Sequence, residues 1–415
     1  MDKKELVSAI IKCFVILIAA VACVSAVFYF WDTIKKHAGD IKDLVISEPT
    51  PEPTPEPTLE ASVSEVLPSP TPDPSAPPLI DYLGEGNNLE LPVNGASGYA
   101  SVETELYESP EGEAIDTLEP GQGFTIQEET GDWWRVVYDG GEGWVRHKIC
   151  MINLPDVIPS IVYDNSNADS SRFKSSGVEL LGITGLALYQ SYGYNARLDR
   201  DEFTVPVLYA MAPKICEAQQ LALADGNTLI IYEAFRPLSV QNEISDTLDA
   251  LAAANPAVNE GLSTPPWSIR WFIANGLSTH QQGCAIDVSL GDAASQSPKN
   301  AGDYTYMAPD SYEEYAMPTE MHELSTAAVA FKTPVQPRVA DIWRGVESSE
   351  TMNNSAILLR KYCTDAGLTP LSSEWWHFDD VDCLDSESGG DYFISENYSE
   401  PPEGYISEVV DSRGN

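Results

Sequence analysis

Residues 13–31 form an almost unbroken apolar run. Its length suits one helical passage through a bilayer, which takes about 20 apolar residues. The pattern then stops. Residues 48–78 are dominated by Pro, Glu, Thr and Ser, with Glu-Pro-Thr-Pro recurring, and show no apolar periodicity. Such a stretch cannot build a core. Proline keeps it extended at about 3.1 Å per residue, so it reads as a semi-rigid spacer on the order of 100 Å. Short apolar runs follow at 114–118, 124–128, 133–137 and 143–145, punctuated by Gly121, Gly131, Gly140 and Gly141. They predict strands and tight turns of a small all-β module.

From about residue 160 the period changes. Leu208, Met211, Ile215, Ala218 and Ala222 recur at helical spacing, with Gly226 as a stop. The run 228–232 predicts a strand that leads into Phe235-Arg236-Pro237, where Pro237 breaks it. Val240, Ile244, Leu248 and Leu251 predict a second helix. Ala356, Leu359, Cys363 and Ala366 predict a third, closed by Gly367. Residues 285–290 alternate as a strand does. Helices and strands mix without regular βαβ units, which is the α+β class. The expected organisation is a tail at 1–12, a transmembrane helix at 13–31 and a linker at 32–95. A β module at 96–153, an α+β domain at 160–385 and an acidic tail at 386–415 follow.

Charge narrows the partners. Lys and Arg number 23 against 64 Asp and Glu, a net of -41. Such a chain repels phosphate backbones, so no nucleic-acid partner is expected. Lys3, Lys4 and Lys12 precede the apolar run and Lys35, Lys36 and Lys42 follow it, so flanking charge does not orient it. The spacer and the chemistry below lead to the expectation of an extracytoplasmic C-terminal part. Val24-Ser25-Ala26 resembles a cleavage site, but the run exceeds the apolar region of a signal peptide, and an uncleaved single-pass anchor is expected. The seven cysteines include no CxxC pair, which supports neither a disulfide framework nor a thiolate zinc site. They read as small buried hydrophobes, with Cys363 and Cys383 one pair that could bridge.

Two clusters carry candidate chemistry. One is Ser278-Thr279-His280-Gln281-Gln282-Gly283-Cys284-Ala285-Ile286-Asp287, the other Glu374-Trp375-Trp376-His377. A catalytic zinc site takes three imidazole or carboxylate ligands and leaves one position open. His280, Asp287 and His377 supply that set, with Gly283 turning the chain between the first two. Glu374 stays free to act as a base. In plain β structure Glu374 and His377 would face opposite sides, so a turn or bulge is required between them. His322, next to Glu323, lacks the second His of an HExxH site and is not expected as a ligand.

Ser-x-His-x-x-Gly-x-Ala-x-Asp followed by Glu-x-Trp-His resembles the zinc D,D-peptidases, which include D,D-carboxypeptidases and VanX-type D-Ala-D-Ala dipeptidases. Phe235-Arg236-Pro237, the double tryptophan of 375–376 and Met317-Pro318-Thr319 lean toward the dipeptidases. The resemblance implies a hedgehog/DD-peptidase-like α+β fold, Zn2+ as cofactor and cell-wall peptides ending in D-Ala-D-Ala as substrates. It implies Glu374 as general base. Arg236 would stabilise the oxyanion, bind the substrate carboxylate, or form only a salt bridge. Ser278 would bind the substrate carboxylate or cap its turn. Trp375 and Trp376 read chiefly as wall and core, with Trp376 the one expected at the substrate. There are departures: Ala316 and His322 stand where dipeptidases commonly carry Asp, and Glu202-Phe203 replaces an Asn-Phe pair. These leave a D,D-carboxypeptidase as the alternative, and an inactive zinc-containing wall-binding protein as a third reading that an intact Glu374 opposes. Upstream, Leu106-Tyr107, Asp132-Trp133-Trp134 and Gly143-Trp144-Val145 resemble bacterial SH3-like domains. That resemblance implies a small barrel that binds the cell wall or positions the enzyme.

Overall fold

The computed structural model describes residues 78–80, 82, 89–164, 172–181 and 192–385. The expected transmembrane helix, most of the linker and the acidic tail lie outside the described residues. Among the described residues no helix is long and apolar enough to cross a membrane.

The glycine-punctuated runs form β1 (Ser97–Ala100), β2 (Thr104–Tyr107), β3 (Ala114–Leu118), β4 (Gly123–Thr130), β5 (Trp133–Tyr138), β6 (Gly141–Arg146) and β7 (Cys150–Asn153). Alternate residues of β4 and β5 turn inward. Phe124, Ile126, Trp134 and Val136 are fully buried with Leu106, Leu118 and Val145. Gly143 is required by close approach: a Cβ there would lie 2.6 Å from the Leu106 side chain. The seven strands do not complete the sheet by themselves. The chain continues through a buried turn, α1 (Leu154–Val157), and β8 (Val162–Tyr163). Two short hairpins come next, β9 (Lys174–Ser175) with β10 (Val178–Glu179), and β11 (Tyr192–Asn195) with β12 (Arg200–Phe203). It then returns as β13 (Pro206–Leu208), which pairs antiparallel with β7. The resulting eight-stranded sheet runs β13-β7-β1-β4-β5-β6-β2-β3.

Leu208 was expected in the first helix. Its pairing with Met151 in β7 takes it into a strand instead, and the helix α2 begins only at Ala212 and runs to Ala224. The rest follows the apolar pattern closely. β14 (Asn227–Glu233) is buried along its whole length, then come α3 (Leu238–Ala254), α4 (Pro256–Ser263) and α5 (Ile269–Phe272). β15 (Ala285–Asp292), the hairpin β16 (Gln296–Ala301) and β17 (Tyr304–Pro309), and β18 (Glu313–Glu314) follow. Helix α6 (Asn354–Asp365) starts where the Asn353 side chain accepts a hydrogen bond from the Ala356 amide at 3.0 Å, and it stops at Gly367, whose φ is +87°. β19 (Thr369–Pro370), β20 (His377–Asp379) and α7 (Val381–Asp385) end the described chain.

A second sheet runs β19-β20-β15-β14-β8, with β18 on the far end of β15. Only β14 and β8 are parallel in it. Helix α2 packs against α6 and β14, and α6 also meets β15. One buried apolar cluster extends from Leu91 through Trp134 and Met211 to Trp376 and Cys383. The β module and the α+β part therefore share both a sheet and a core. Tyr209 stacks edge-on against Trp134 at 4.5 Å and donates to Glu129 at 2.7 Å. Asn153 accepts from the Val205 amide at 2.8 Å, and Arg197 donates to the Pro92 and Asn94 carbonyls.

Candidate active site

The site is built on a row across three strands. Glu233 of β14 lies opposite Asp287 of β15, and Asp287 lies opposite His377 of β20. A bulge between Ile231 and Glu233 brings Glu233 into that row. His280 arrives from the turn before β15. Gly283 has φ +70°, its amide donates to the His280 carbonyl at 3.0 Å, and its own carbonyl accepts from the Leu208 amide at 2.8 Å. Strand β20 begins only at His377, so Glu374 sits in the irregular segment before it, as the required turn anticipates.

The expected trio converges. His280 Nε2 and His377 Nδ1 are 3.0 Å apart, and Asp287 Oδ1 lies 3.2 Å and 3.0 Å from them. Each imidazole uses its other nitrogen elsewhere. His280 Nδ1 donates to the Ala234 carbonyl at 2.7 Å, and His377 Nε2 donates to Asp379 Oδ1 at 2.9 Å. Those bonds assign the tautomers and turn two lone pairs and a carboxylate oxygen toward one point. Tetrahedral ligands held about 2.0–2.1 Å from zinc lie about 3.3 Å from one another, so the triangle fits such an ion with little adjustment. Burial lowers the His280 pKa, which favours the neutral, ligand-competent ring. Burial alone would raise Asp287, but His280, His322 and His377 outweigh it and hold the carboxyl well below its usual range.

The outer oxygen of Asp287 is held from behind. His322 Nε2 donates to Oδ2 at 2.9 Å, and Arg236 Nη2 donates to it at 3.2 Å. Arg236 is buried, grips Glu233 with Nε at 3.1 Å and with Nη2, and donates from Nη1 to Gln241 at 2.9 Å. Its guanidinium also lies 5.0 Å from the Phe173 ring centre. His322 stacks on the same ring at 4.4 Å, with its backbone at φ +61°. Glu233, Asp287 and His322 make a second group of ligand-type atoms, but the Arg236 guanidinium already supplies positive charge there.

A cavity of about 140 Å³ opens on this centre. His280, His377, Asp379, Arg236, Ser278 and Glu374 line it, together with Arg270 and Arg338. Glu374 Oε2 is 4.0 Å from His377 Nδ1. Burial pushes its carboxyl up to about 8, with His377 and Arg236 pulling down and Asp287 and Asp379 pushing up. Ser278 Oγ accepts from the Gln281 amide at 3.4 Å, a long turn cap, and still faces the cavity. Trp376, expected at the substrate, is fully buried and does not line the cavity; it stands edge-on to His322 and Trp375 as wall. Trp375 lines a separate cavity of about 520 Å³ with Met317 and Thr319. Sequence reasoning missed Glu233 and Asp379 and set His322 aside. Glu233 stands three residues before Arg236 and Asp379 two after His377, so strand and turn spacing were the available signals.

Residues 207–396 match the family model described as D-ala-D-ala dipeptidase, and residues 107–148 match that of the bacterial SH3 domain. The C-terminal match makes this segment a D-ala-D-ala dipeptidase family domain. No curated protein matches the chain. Membership at this level supports a metallopeptidase, zinc-dependent as the family is in general. Every residue of the converging trio, Glu374 and Arg236 fall inside the dipeptidase-family segment. Its first strand, β13, is nonetheless hydrogen-bonded into the sheet of the SH3 domain.

Proposed function

We propose that this protein is a zinc D-Ala-D-Ala dipeptidase of bacterial cell-wall metabolism, held at the outer face of the membrane by residues 13–31. One observation carries the reading: three buried donor atoms within 3.2 Å of one another, beside a buried carboxyl in a cavity lined by arginines. His280, Asp287 and His377 would hold the ion. When bound, zinc would lower the pKa of a water at its open position toward neutrality and would polarise the scissile carbonyl. Glu374 takes the proton of the attacking water and passes it to the leaving amine. Arg236 stabilises the charge that develops on the carbonyl oxygen, a role often worth about 3–4 kcal/mol per donor. Ser278 and the basic lining of Arg270 and Arg338 bind the free carboxylate of the terminal D-alanine, which with the role of Arg236 accounts for three cationic groups at the cavity of a strongly acidic chain. The SH3 domain, sharing a sheet with the enzyme, aims the cavity at the wall.

A D,D-carboxypeptidase is the second reading. Ala316 offers no carboxylate for the amine of a free dipeptide, and Met317 and Thr319 line a different cavity from Glu374. Alanine release from D-Ala-D-Ala and from a stem pentapeptide, with zinc and beside Glu374→Ala, separates the two. Cleavage of the free dipeptide, lost in the variant, supports the dipeptidase. Loss of only the terminal residue of the pentapeptide supports the carboxypeptidase. Neither reaction from zinc-loaded protein would move the inactive wall-binding protein to the front.

A further inference from the structure

Two cysteines far apart in the chain meet behind the candidate site. Cys284 and Cys383 are 99 residues apart, both are buried, and Cys284 Sγ donates to Cys383 Sγ at 2.9 Å. About 0.9 Å of further approach would reach the ~2.0 Å of a sulfur–sulfur bond. The sequence offered Cys363 as one possible partner of Cys383; the Cys383 sulfur faces Cys284 instead. The location gives the pair its meaning. Cys284 lies in the segment that carries His280 and Asp287, and Cys383 in α7, directly after the strand that carries His377 and Asp379. The two segments already touch next to the sulfurs. The Asp380 amide donates to the Cys284 carbonyl at 2.9 Å, and Asp380 accepts from the Cys383 amide at 3.2 Å and from Lys214 at 2.6 Å.

We propose that Cys284 and Cys383 are joined by a disulfide in the mature protein, fixing the two ligand-bearing segments against each other. The inference rests on the extracytoplasmic reading above, because stable disulfides belong to oxidising compartments. The oxidant is a disulfide, either of a thiol oxidoreductase or of a small molecule such as oxidised glutathione. One cysteine, as thiolate, attacks the oxidant's S–S bond and releases one oxidant thiol. The second cysteine then attacks the mixed disulfide and releases the other. The protein loses two S–H bonds and gains one S–S bond; two electrons and two protons pass to the oxidant. Both sulfurs are shielded once α7 is docked, so the exchange takes place before α7 closes. A link across so long a loop restricts the unfolded chain strongly. In the folded state it resists separation of His280 and Asp287 from His377.

Full-length protein recovered from bacterial membranes is alkylated without reductant, digested and examined by mass spectrometry. In parallel, reduced full-length protein is unfolded and refolded with oxidised glutathione. A Cys284–Cys383 peptide pair in both arms, abolished by reductant, supports the proposal. Reduction then lowers the Tm by roughly 5–15 °C and speeds zinc release to a chelator several-fold. Cys383→Ser and Cys383→Ala both abolish the reductant dependence, so a fold defect particular to one variant is recognised. Bonding only in the refolded sample overturns the proposal for the mature protein and counts against the extracytoplasmic reading, while leaving the peptidase chemistry intact. Alkylated thiols in both arms, or a bond to Cys363, overturn it outright.

Discussion

The two sheets bury their inward faces equally and fill them differently. In the SH3 domain the inward positions of β4 and β5 are Phe124, Ile126, Trp134 and Val136, all without exposure. In the dipeptidase-family domain the row across β14, β15 and β20 is Glu233, Asp287 and His377, also buried. An apolar row stabilises itself by leaving water. A charged row is tolerated only when every member has a partner. Here Glu233 answers Arg236, and Asp287 answers two imidazoles on one oxygen and His322 with Arg236 on the other. The contrast separates a sheet that holds shape from one that holds charge in place.

The largest expected effect lies in the charged row. His377→Ala removes a proposed ligand and leaves Asp379 and Asp287 short of a partner; activity should vanish and metal analysis should find zinc near zero. Full zinc with retained cleavage would mean that the ion sits elsewhere. Glu374→Gln keeps the proposed ligands and removes the proposed base, so kcat should fall by about 10²–10⁴-fold with zinc content unchanged. Loss of zinc along with the rate would make Glu374 a ligand instead.

In the apolar row, Trp134→Ala should cost about 3–5 kcal/mol. Because Tyr209 packs on Trp134 and the core is continuous, calorimetry should record one transition shifted as a whole. Two separate transitions would show the sheets to be energetically independent. Asp379→Asn and His322→Phe each disturb a group behind a ligand, and zinc affinity should weaken by about 10–100-fold in a competition titration. Unchanged affinity in His322→Phe would reduce that histidine to packing. Smallest is Tyr209→Phe, which deletes the hydrogen bond to Glu129 and should cost about 1 kcal/mol in denaturant unfolding.

The helices at 212–224, 238–254 and 354–365 were readable because each buries a stripe that repeats within the helix itself. His280, Asp287 and His377 were readable because few histidines compete and the motif spacing is tight. The support around them was not. His322 reaches Asp287 across 35 positions, and Cys284 meets Cys383 across 99. Glu233 enters the row through a bulge, and bulges leave little trace in periodicity. Trp376, next to His377, was expected at the substrate, yet the irregular segment before β20 turns it to the wall.

Composition and local pattern were enough to predict a β module followed by an α+β domain, and to pick out His280, Asp287 and His377, which the fold brings together. Those features depend on residue type and short-range spacing, which a linear chain displays directly. The union of the two sheets through β13, the clamp on the outer oxygen of Asp287 and the meeting of the two sulfurs came only with folding. They depend on which distant segments lie side by side, and pairing between strands is settled by the shared burial of the whole core rather than by any one stretch of it.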